Sequence, residues 1–485
     1  MVLDQNIHVL MASAALQGHL NPMLKFAKSL ISKGIHVTIA TGEIARHRML
    51  KHTTAADPAN PSIQFEFFSD GFDLEFDTNT DYESWIHALS TKGSKNLSNL
   101  IAKLSQRTKF SCLILNQFVP WFVPIAKENN LPCAVLWIQP CALYSIYYRF
   151  FNKLNEFAIL QNKNEPLQLP GLPLLNFEDL PTFIHPNAYL CFQKLLSDFF
   201  SFLDEVKWVL GTSFDKLEEE VLGSMNDGVV RPMISPIGPL VSPFLLGKED
   251  KVVEGGLSVD MWKADDSCLR WLDGQDMGSV VYVSFGSIIV LCQEQVDNIA
   301  NGLLMSGKAF LWVFKRPLPE ESTKGCTVRL PDGFLEAAGG RGLVVNWCSQ
   351  EQVLKHKAVS CFMTHCGWNS TLETVLAGVP VIAFPEWTDQ PTNAKLLTDV
   401  FKMGVRIRKG DEGIVSSKEV ERCIWEMTDG PNATTMAKRA AELMAAGKRA
   451  VEDGGSSHRN LDAFIADIVG QKASKMDANG GCEIA

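Results

Sequence analysis

The sequence predicts an α/β protein made of two doubly wound domains that face each other across a cleft. Three observations predict it. Short apolar runs, rich in β-branched residues, alternate with helical stretches along nearly the whole chain. The runs are continuously apolar, as parallel strands are when helices cover both faces. The series occurs twice, interrupted by a breaker cluster and a stretch without periodicity.

The first series places strands at residues 7–12, 36–41, 63–68, 112–115, 134–138 and 208–212, with helices such as 22–32 and 120–128 between them. The cluster Ser235-Pro-Ile-Gly-Pro239 then breaks the pattern. The second series places strands at 280–285, 310–314, 343–347, 360–364 and 381–384, with helices at 294–305 and 370–377. The expected division is a first domain over 1–241, a linker over 242–266 and a second domain over 267–459 that opens on an amphipathic helix, 267–273. A last helix, 460–470, is expected to pack back on the first domain, and 471–485 reads as a frayed polar tail.

A chain of 485 residues with 46% hydrophobic content can fill two cores. The net charge of −10, with no long Lys/Arg run, gives no footing for nucleic acid or an anionic membrane. The first apolar segment is only as long as a strand, so it reads neither as a secretory leader nor as a membrane span. Its 12 scattered cysteines are expected to be reduced. These features point to a cytoplasmic monomer that is not embedded in a membrane. In open α/β sheets, ligands bind beyond the carboxyl ends of the strands. Two such domains face to face therefore offer two walls for two substrates.

The densest chemistry lies between Trp347 and Gln390. Thr364-His-Cys-Gly-Trp-Asn-Ser-Thr joins a strand to a helix, with Gly367 at the turn and Asn369 or Ser370 opening the helix. Helix N-termini bind phosphate through free N–H groups and the helix dipole. His365, Asn369 and Ser370 add side-chain donors, and Glu373, one turn on, suits ribose hydroxyls. Trp347, ending the preceding strand, can stack on a base. Asp389 and Gln390 suit sugar hydroxyls. Taken singly, His365 and Asn369 are equally simple capping residues, and Trp347 is equally core.

Taken together, the motifs Trp347-x-x-Gln350, His365-Cys-Gly-Trp-Asn-Ser370 and Asp389-Gln390 closely resemble the signature of the plant secondary-product UDP-glycosyltransferases of family 1. Gln17-Gly-His19, Ser235-Pro-Ile-Gly-Pro-Leu and Val283-Ser-Phe-Gly-Ser287 extend the resemblance over nearly the whole chain. It implies the GT-B fold, two Rossmann-like domains, and an inverting transfer that needs no metal or cofactor. The donor would be UDP-glucose and the acceptor a small, largely aromatic plant metabolite. The resemblance puts Trp347 on uracil with Gln350 nearby, Glu373 on the ribose, and Ser287, His365, Asn369 and Ser370 on the diphosphate. Trp368, Asp389 and Gln390 would contact the sugar, a terminal Gln being associated with glucose donors.

The same resemblance makes His19 the general base. From the sequence, His19 lies in a strand-to-helix loop, with Asn21 as N-cap and Pro22 in the first turn, where imidazolium is disfavoured. Family members usually pair this His with an Asp. Here the matching segment is Leu115-Asn116-Gln-Phe-Val-Pro-Trp121, and Asn116 stands in its place. An Asn can orient imidazole but cannot stabilise imidazolium by charge. An acceptor that is already ionised, such as a carboxylate with a pKa near ~4, avoids the problem. The chain also looks nearest to the branch that makes glucose esters, with a phenol acceptor or a C-glycoside product as alternatives.

The acceptor wall is expected from Phe118, Trp121, Gln139, Tyr144, Phe183 and Phe192, with Glu386 and Trp387 flanking the sugar end. Rival readings lack their motifs. The first strand does not lead into Gly-x-Gly-x-x-Gly, Gly211-Thr-Ser-Phe-Asp is not a nucleophile elbow, and Cys361, His365 and Cys366 have no second cluster for zinc. A UDP-sugar epimerase or hydrolase on the same fold remains as an alternative.

Overall fold

The structure, a computed structural model, describes residues 7–52, 63–71, 81–186, 189–248, 267–286, 289–314, 328–410 and 412–480. The first sheet has seven strands: β1 His8–Ser13, β2 His36–Gly42, β3 Ile63–Phe68, β4 Cys112–Asn116, β5 Cys133–Trp137, β6 Trp208–Gly211 and β7 Ile234–Pro236. Their order is β3-β2-β1-β4-β5-β6-β7, and every pairing is parallel. The second has six: β8 Val280–Ser284, β9 Ala309–Val313, β10 Gly342–Val345, β11 Val359–Thr364, β12 Val381–Ala383 and β13 Gly404–Arg406, in the order β10-β9-β8-β11-β12-β13. Two parallel sheets covered by helices make the GT-B architecture. Strands β1, β4, β5 and β8 are buried almost throughout, which is why they read as unbroken apolar runs.

Both strands that the sequence pattern missed are edge strands of three residues. β7 lies inside the proline-rich breaker cluster. An edge strand tolerates proline because one side of its backbone needs no ladder partner. β13 is too short to carry a periodic signal.

Several boundaries differ from expectation. The first helix runs Gln17–Ile31, so Leu16, not Asn21, precedes it, and Pro22 lies inside the helix. The donor-side helix runs Trp368–Ala377, with Gly367 in the cap position in place of Asn369 or Ser370. The last helix, expected to end at Gly470 before a frayed tail, runs Ser456–Gly480. Glycine weakens a helix by only about 1 kcal/mol and did not end this one. This helix returns to the first sheet. Phe464 packs on Phe26 and Trp208, Trp208 Nε1 donates to Asp467 at 2.8 Å, and Asn460 donates to the Pro236 carbonyl at 2.7 Å. Residues 249–266, most of the expected linker, and 481–485 lie outside the described residues. Among the described residues no helix is long and apolar enough to cross a membrane, and every cysteine is a free thiol.

Candidate active site

Each sheet reverses strand order once, between β1 and β4 and between β8 and β11. The crevices beyond the carboxyl ends at these points are where an open α/β sheet takes ligands. His19 follows β1 and Asn116 ends β4. Gly286 follows β8 and His365 follows β11.

On the donor side, β11 leads through His365, Cys366 and Gly367 into helix Trp368–Ala377. Its first N–H groups have no acceptor within the helix, and the dipole adds positive potential there. The His365 ring is gripped by two glycines. A Cβ on Gly286, whose φ is +74°, would lie 2.6 Å from the ring, and one on Gly367 would lie 2.5 Å from Nε2. Burial lowers the His365 pKa to about 4, so the ring is neutral at pH 7. Its Nδ1 is enclosed and has no hydrogen-bond partner. With Nδ1 enclosed, Nε2 is the ring nitrogen that could serve a ligand oxygen. Ser287, expected beside it, lies outside the described residues.

Glu373 is 12% exposed and already engaged: its two oxygens accept from Lys25 Nζ and Gln350 Nε2, both at 2.8 Å. Gln350 also donates to Ser370 Oγ at 3.0 Å. Trp347 is half-buried in the loop after β10, which ends two residues earlier than expected. Asn369 Nδ2 donates to the Gly18 carbonyl at 3.1 Å. Pro22 has no N–H with which to fill that carbonyl, and a side chain from the other domain fills it instead.

At the sugar end, Gln390 Oε1 accepts from the N–H groups of Glu386 and Trp387 at 3.0 and 3.2 Å, which leaves its NH₂ group for a ligand. Asp389 accepts from Thr388 Oγ1 at 2.6 Å and Asn393 Nδ2 at 2.7 Å. Burial pushes its carboxyl up, and hydrogen bonds from Thr388, Asn393 and, across the cleft, Gln139 pull it back. The Trp368 side chain departs from expectation. It is 3% exposed and donates its indole N–H to Thr212 Oγ1 at 3.0 Å, so the side chain is committed to the interior. Glu386 is held by Lys409 at 2.9 Å.

On the acceptor side, His19 occupies the first turn of helix Gln17–Ile31 and stacks on Phe118 with centroids 4.5 Å apart. Burial lowers its pKa to about 4, and its enclosed Nδ1 has no partner. Asn116 does not supply one. Its Nδ2 donates to Ser13 Oγ and its Oδ1 accepts from the Phe118 N–H, both at 2.9 Å. The amide therefore fixes the loop that carries Phe118, and it makes no hydrogen bond to His19.

Phe183 and Phe192 stack at 4.7 Å, and Trp387 of the second domain reaches both edge-on. Tyr82 and Tyr189, which the sequence reading passed over, complete this cluster at 6.0 and 5.4 Å from Trp387. Each sits in a segment with no strand-to-helix signature, so nothing local marked it. Trp121 lies aside, bonded to Asp198 at 3.1 Å. Tyr144 is a correction. It is fully buried against Trp137, and its hydroxyl donates to the Pro232 carbonyl at 2.7 Å, so it belongs to the core and not to the acceptor wall. Among the described residues no three His, Cys, Asp or Glu side chains are grouped to hold a metal ion.

A free helix N-terminus, buried acids and amides beside it, and an aromatic wall opposite fit a nucleotide-sugar-dependent transferase. Comparison with known proteins agrees. Residues 259–437 match the family model described as UDP-glucoronosyl and UDP-glucosyl transferase. The chain is 46% identical to UDP-glycosyltransferase 84B1 of Arabidopsis thaliana, over 96% of this chain and 98% of that one. It is 40% identical to gallate 1-beta-glucosyltransferase of Quercus robur (98% and 92% covered) and 39% identical to cinnamate beta-D-glucosyltransferase of Fragaria ananassa (95% and 82%). The crystal structure of Os79 from O. sativa in complex with UDP superposes with a TM-score of 0.82 at 30% identity, covering 95% of this chain and 100% of that one. The chain belongs to the plant family 1 UDP-glycosyltransferases, in the group-84 branch, and is a UDP-dependent hexosyltransferase.

Proposed function

We propose that this enzyme moves glucose from UDP-glucose to the carboxylate of a small aromatic acid, giving a glucose ester with inversion at the anomeric carbon. The observation that carries the reading is the isolation of His19. Its Nδ1 has no partner, Asn116 is committed elsewhere, and burial holds the ring neutral. A phenol must lose a proton as it attacks, and the imidazolium formed here would lack a counter-charge. A carboxylate arrives deprotonated. Its oxygen attacks C1, the bond from C1 to the β-phosphate oxygen breaks, and UDP leaves with the bonding electrons. No proton need move.

The other groups have parts in the same step. The free N–H groups of helix Trp368–Ala377, with His365, Asn369 and Ser370, would stabilise charge on the departing diphosphate. Trp347 would stack on uracil, Glu373 would take the ribose, and Asp389 with the Gln390 NH₂ would read glucose hydroxyls. The cluster around Trp387 suits a planar ring, and two group-84 relatives are named for gallate and cinnamate.

The test compares His19→Ala on a benzoic acid and on the matching phenol. Loss of a general base should cut kcat/KM for the phenol by about 10²–10⁴-fold, and the acid should suffer far less. Equal losses would return the enzyme to phenol or C-glycoside chemistry. A mass-spectrometric screen of acceptors with UDP-glucose would identify the acid.

A further inference from the structure

Helix Gln17–Ile31 does more than carry His19. Six residues on, less than two turns, Lys25 crosses the cleft into the donor domain. Its Nζ lies 2.8 Å from Glu373 Oε1 and 3.2 Å from Glu351 Oε1. The other oxygen of Glu373 accepts from Gln350, and the other oxygen of Glu351 accepts from Ser242 Oγ. The side chains of Lys25, Glu351 and Glu373 are only 21%, 20% and 12% exposed. Lysine and glutamate are seldom this enclosed unless paired.

The cation offsets two neighbouring carboxylates. Burial pushes the Glu373 carboxyl up, Glu351 beside it pushes the same way, and Lys25 opposes both. Burial alone would lower the Lys25 pKa, yet the two carboxylates hold it above its ordinary value. A carboxylate offers about four acceptor positions. Lys25 and Gln350 take one on each oxygen, which fixes the carboxylate plane and leaves positions for two hydroxyls.

We propose that Lys25 is a positioning residue for the donor ribose. It holds Glu373 ready from across the cleft, so donor affinity depends on helix Gln17–Ile31 being docked on helix Trp368–Ala377. The Asn369–Gly18 bond is the second strap between the same two helices, placed beside His19. The proposal rests on the reading of Glu373 as the ribose acceptor.

The experiment measures binding of UDP and 2′,3′-dideoxy-UDP by calorimetry to the parent, Lys25→Gln and Lys25→Arg. The parent should prefer UDP by about tenfold or more, the worth of hydrogen bonds to a charged acceptor. Lys25→Gln should lose most of that preference, while its affinity for the dideoxy compound moves less than about threefold. Lys25→Arg should restore the preference. In turnover, KM for UDP-glucose should rise in Lys25→Gln while KM for the acceptor holds. A purely structural lysine would weaken both nucleotides alike, and that result overturns the proposal. So does an unchanged ratio. If the parent itself fails to discriminate, the ribose reading of Glu373 falls and takes this one with it. If Lys25→Gln does not fold, Lys25→Met, which keeps the aliphatic stem, is read in the same way; failure of both would make the residue structural and sink the idea.

Discussion

At its switch point each sheet ends in a strand, a tight loop and a helix, yet the two loops carry different chemistry. In the second sheet, Gly286 and Gly367 close on His365, and the helix behind them offers free N–H groups. The seat proposed for the diphosphate is closely packed, with two glycines against one ring. In the first sheet, the loop after β1 leads to His19, whose ring rests on Phe118 with an enclosed, unpaired Nδ1. Phe118 covers one face of that ring, and the wall beyond is aromatic. A diphosphate is the same in every donor, so its seat can be tight. Acceptors differ, and stacked rings accommodate many shapes because they recognise a face more than an outline.

The first way to break this contrast is to add one methyl group at Gly286, after β8, and one at Gly18, in the helix after β1. Gly286→Ala places a Cβ 2.6 Å from His365 at a positive φ, whereas Gly18→Ala, inside a helix, meets nothing within 4 Å. Left-handed backbone costs about 1–2 kcal/mol and overpacking about 1–3 kcal/mol. Gly286→Ala should therefore lose about 2–5 kcal/mol of stability and most of its UDP affinity. Gly18→Ala should gain up to about 1 kcal/mol, as helical Gly-to-Ala changes do. Thermal melts and calorimetry with UDP measure both. Equal responses would show that the donor loop is no tighter than the other.

Two further measurements sharpen the donor side. Trp347→Ala should weaken UDP binding by about 1–3 kcal/mol if its ring stacks on uracil. Unchanged affinity in a folded variant would return Trp347 to the core. Preference for UDP-glucose over UDP-galactose should be worth about 0.5–1.5 kcal/mol through the Gln390 NH₂ group, the net value of one hydrogen bond. That preference should vanish in Gln390→Ala. Competition between the two donors reads it directly.

The same contrast explains what could be read from the sequence. The donor box is one contiguous segment from Trp347 to Gln390, and its strand, turn and helix follow one another along the chain. Parallel strands buried on both faces announce themselves as apolar runs, so eleven of thirteen strands were legible, and the two missed were short edges. Contacts across the cleft left no such trace. Nothing local in the sequence ties Lys25 to Glu373, Asn369 to Gly18, or Trp368 to Thr212, because each pair is separated by more than 150 residues. The sequence pattern starts the first helix too late because Pro22 reads as a first-turn residue, and the side chain that fills the vacant Gly18 carbonyl comes from the other domain. Aromatic residues were the hardest to assign. Composition says that a ring is buried, and only the fold says whether it is buried against substrate or core.

Tyr144 and Phe192 turn that last point into a test. Both are aromatic and buried, on helices Cys141–Phe151 and Leu190–Ser201 of the first domain, and both were expected on the acceptor wall. Tyr144 packs against Trp137 and spends its hydroxyl on the Pro232 carbonyl. Phe192 stacks on Phe183 beside Trp387, which the donor domain delivers next to Asp389 and Gln390. Tyr144→Phe removes one hydrogen bond and no packing. It should cost about 0.5–1.5 kcal/mol of stability and leave acceptor KM unchanged. Phe192→Leu keeps an apolar side chain but removes a ring face, so it should raise KM for an aromatic acid while KM for UDP-glucose stays put. Melting curves and steady-state kinetics on the two variants separate the roles. If Tyr144→Phe raised acceptor KM as much as Phe192→Leu, the core assignment of Tyr144 would fail, and the acceptor would have to reach far deeper beneath β5 than the cluster around Trp387.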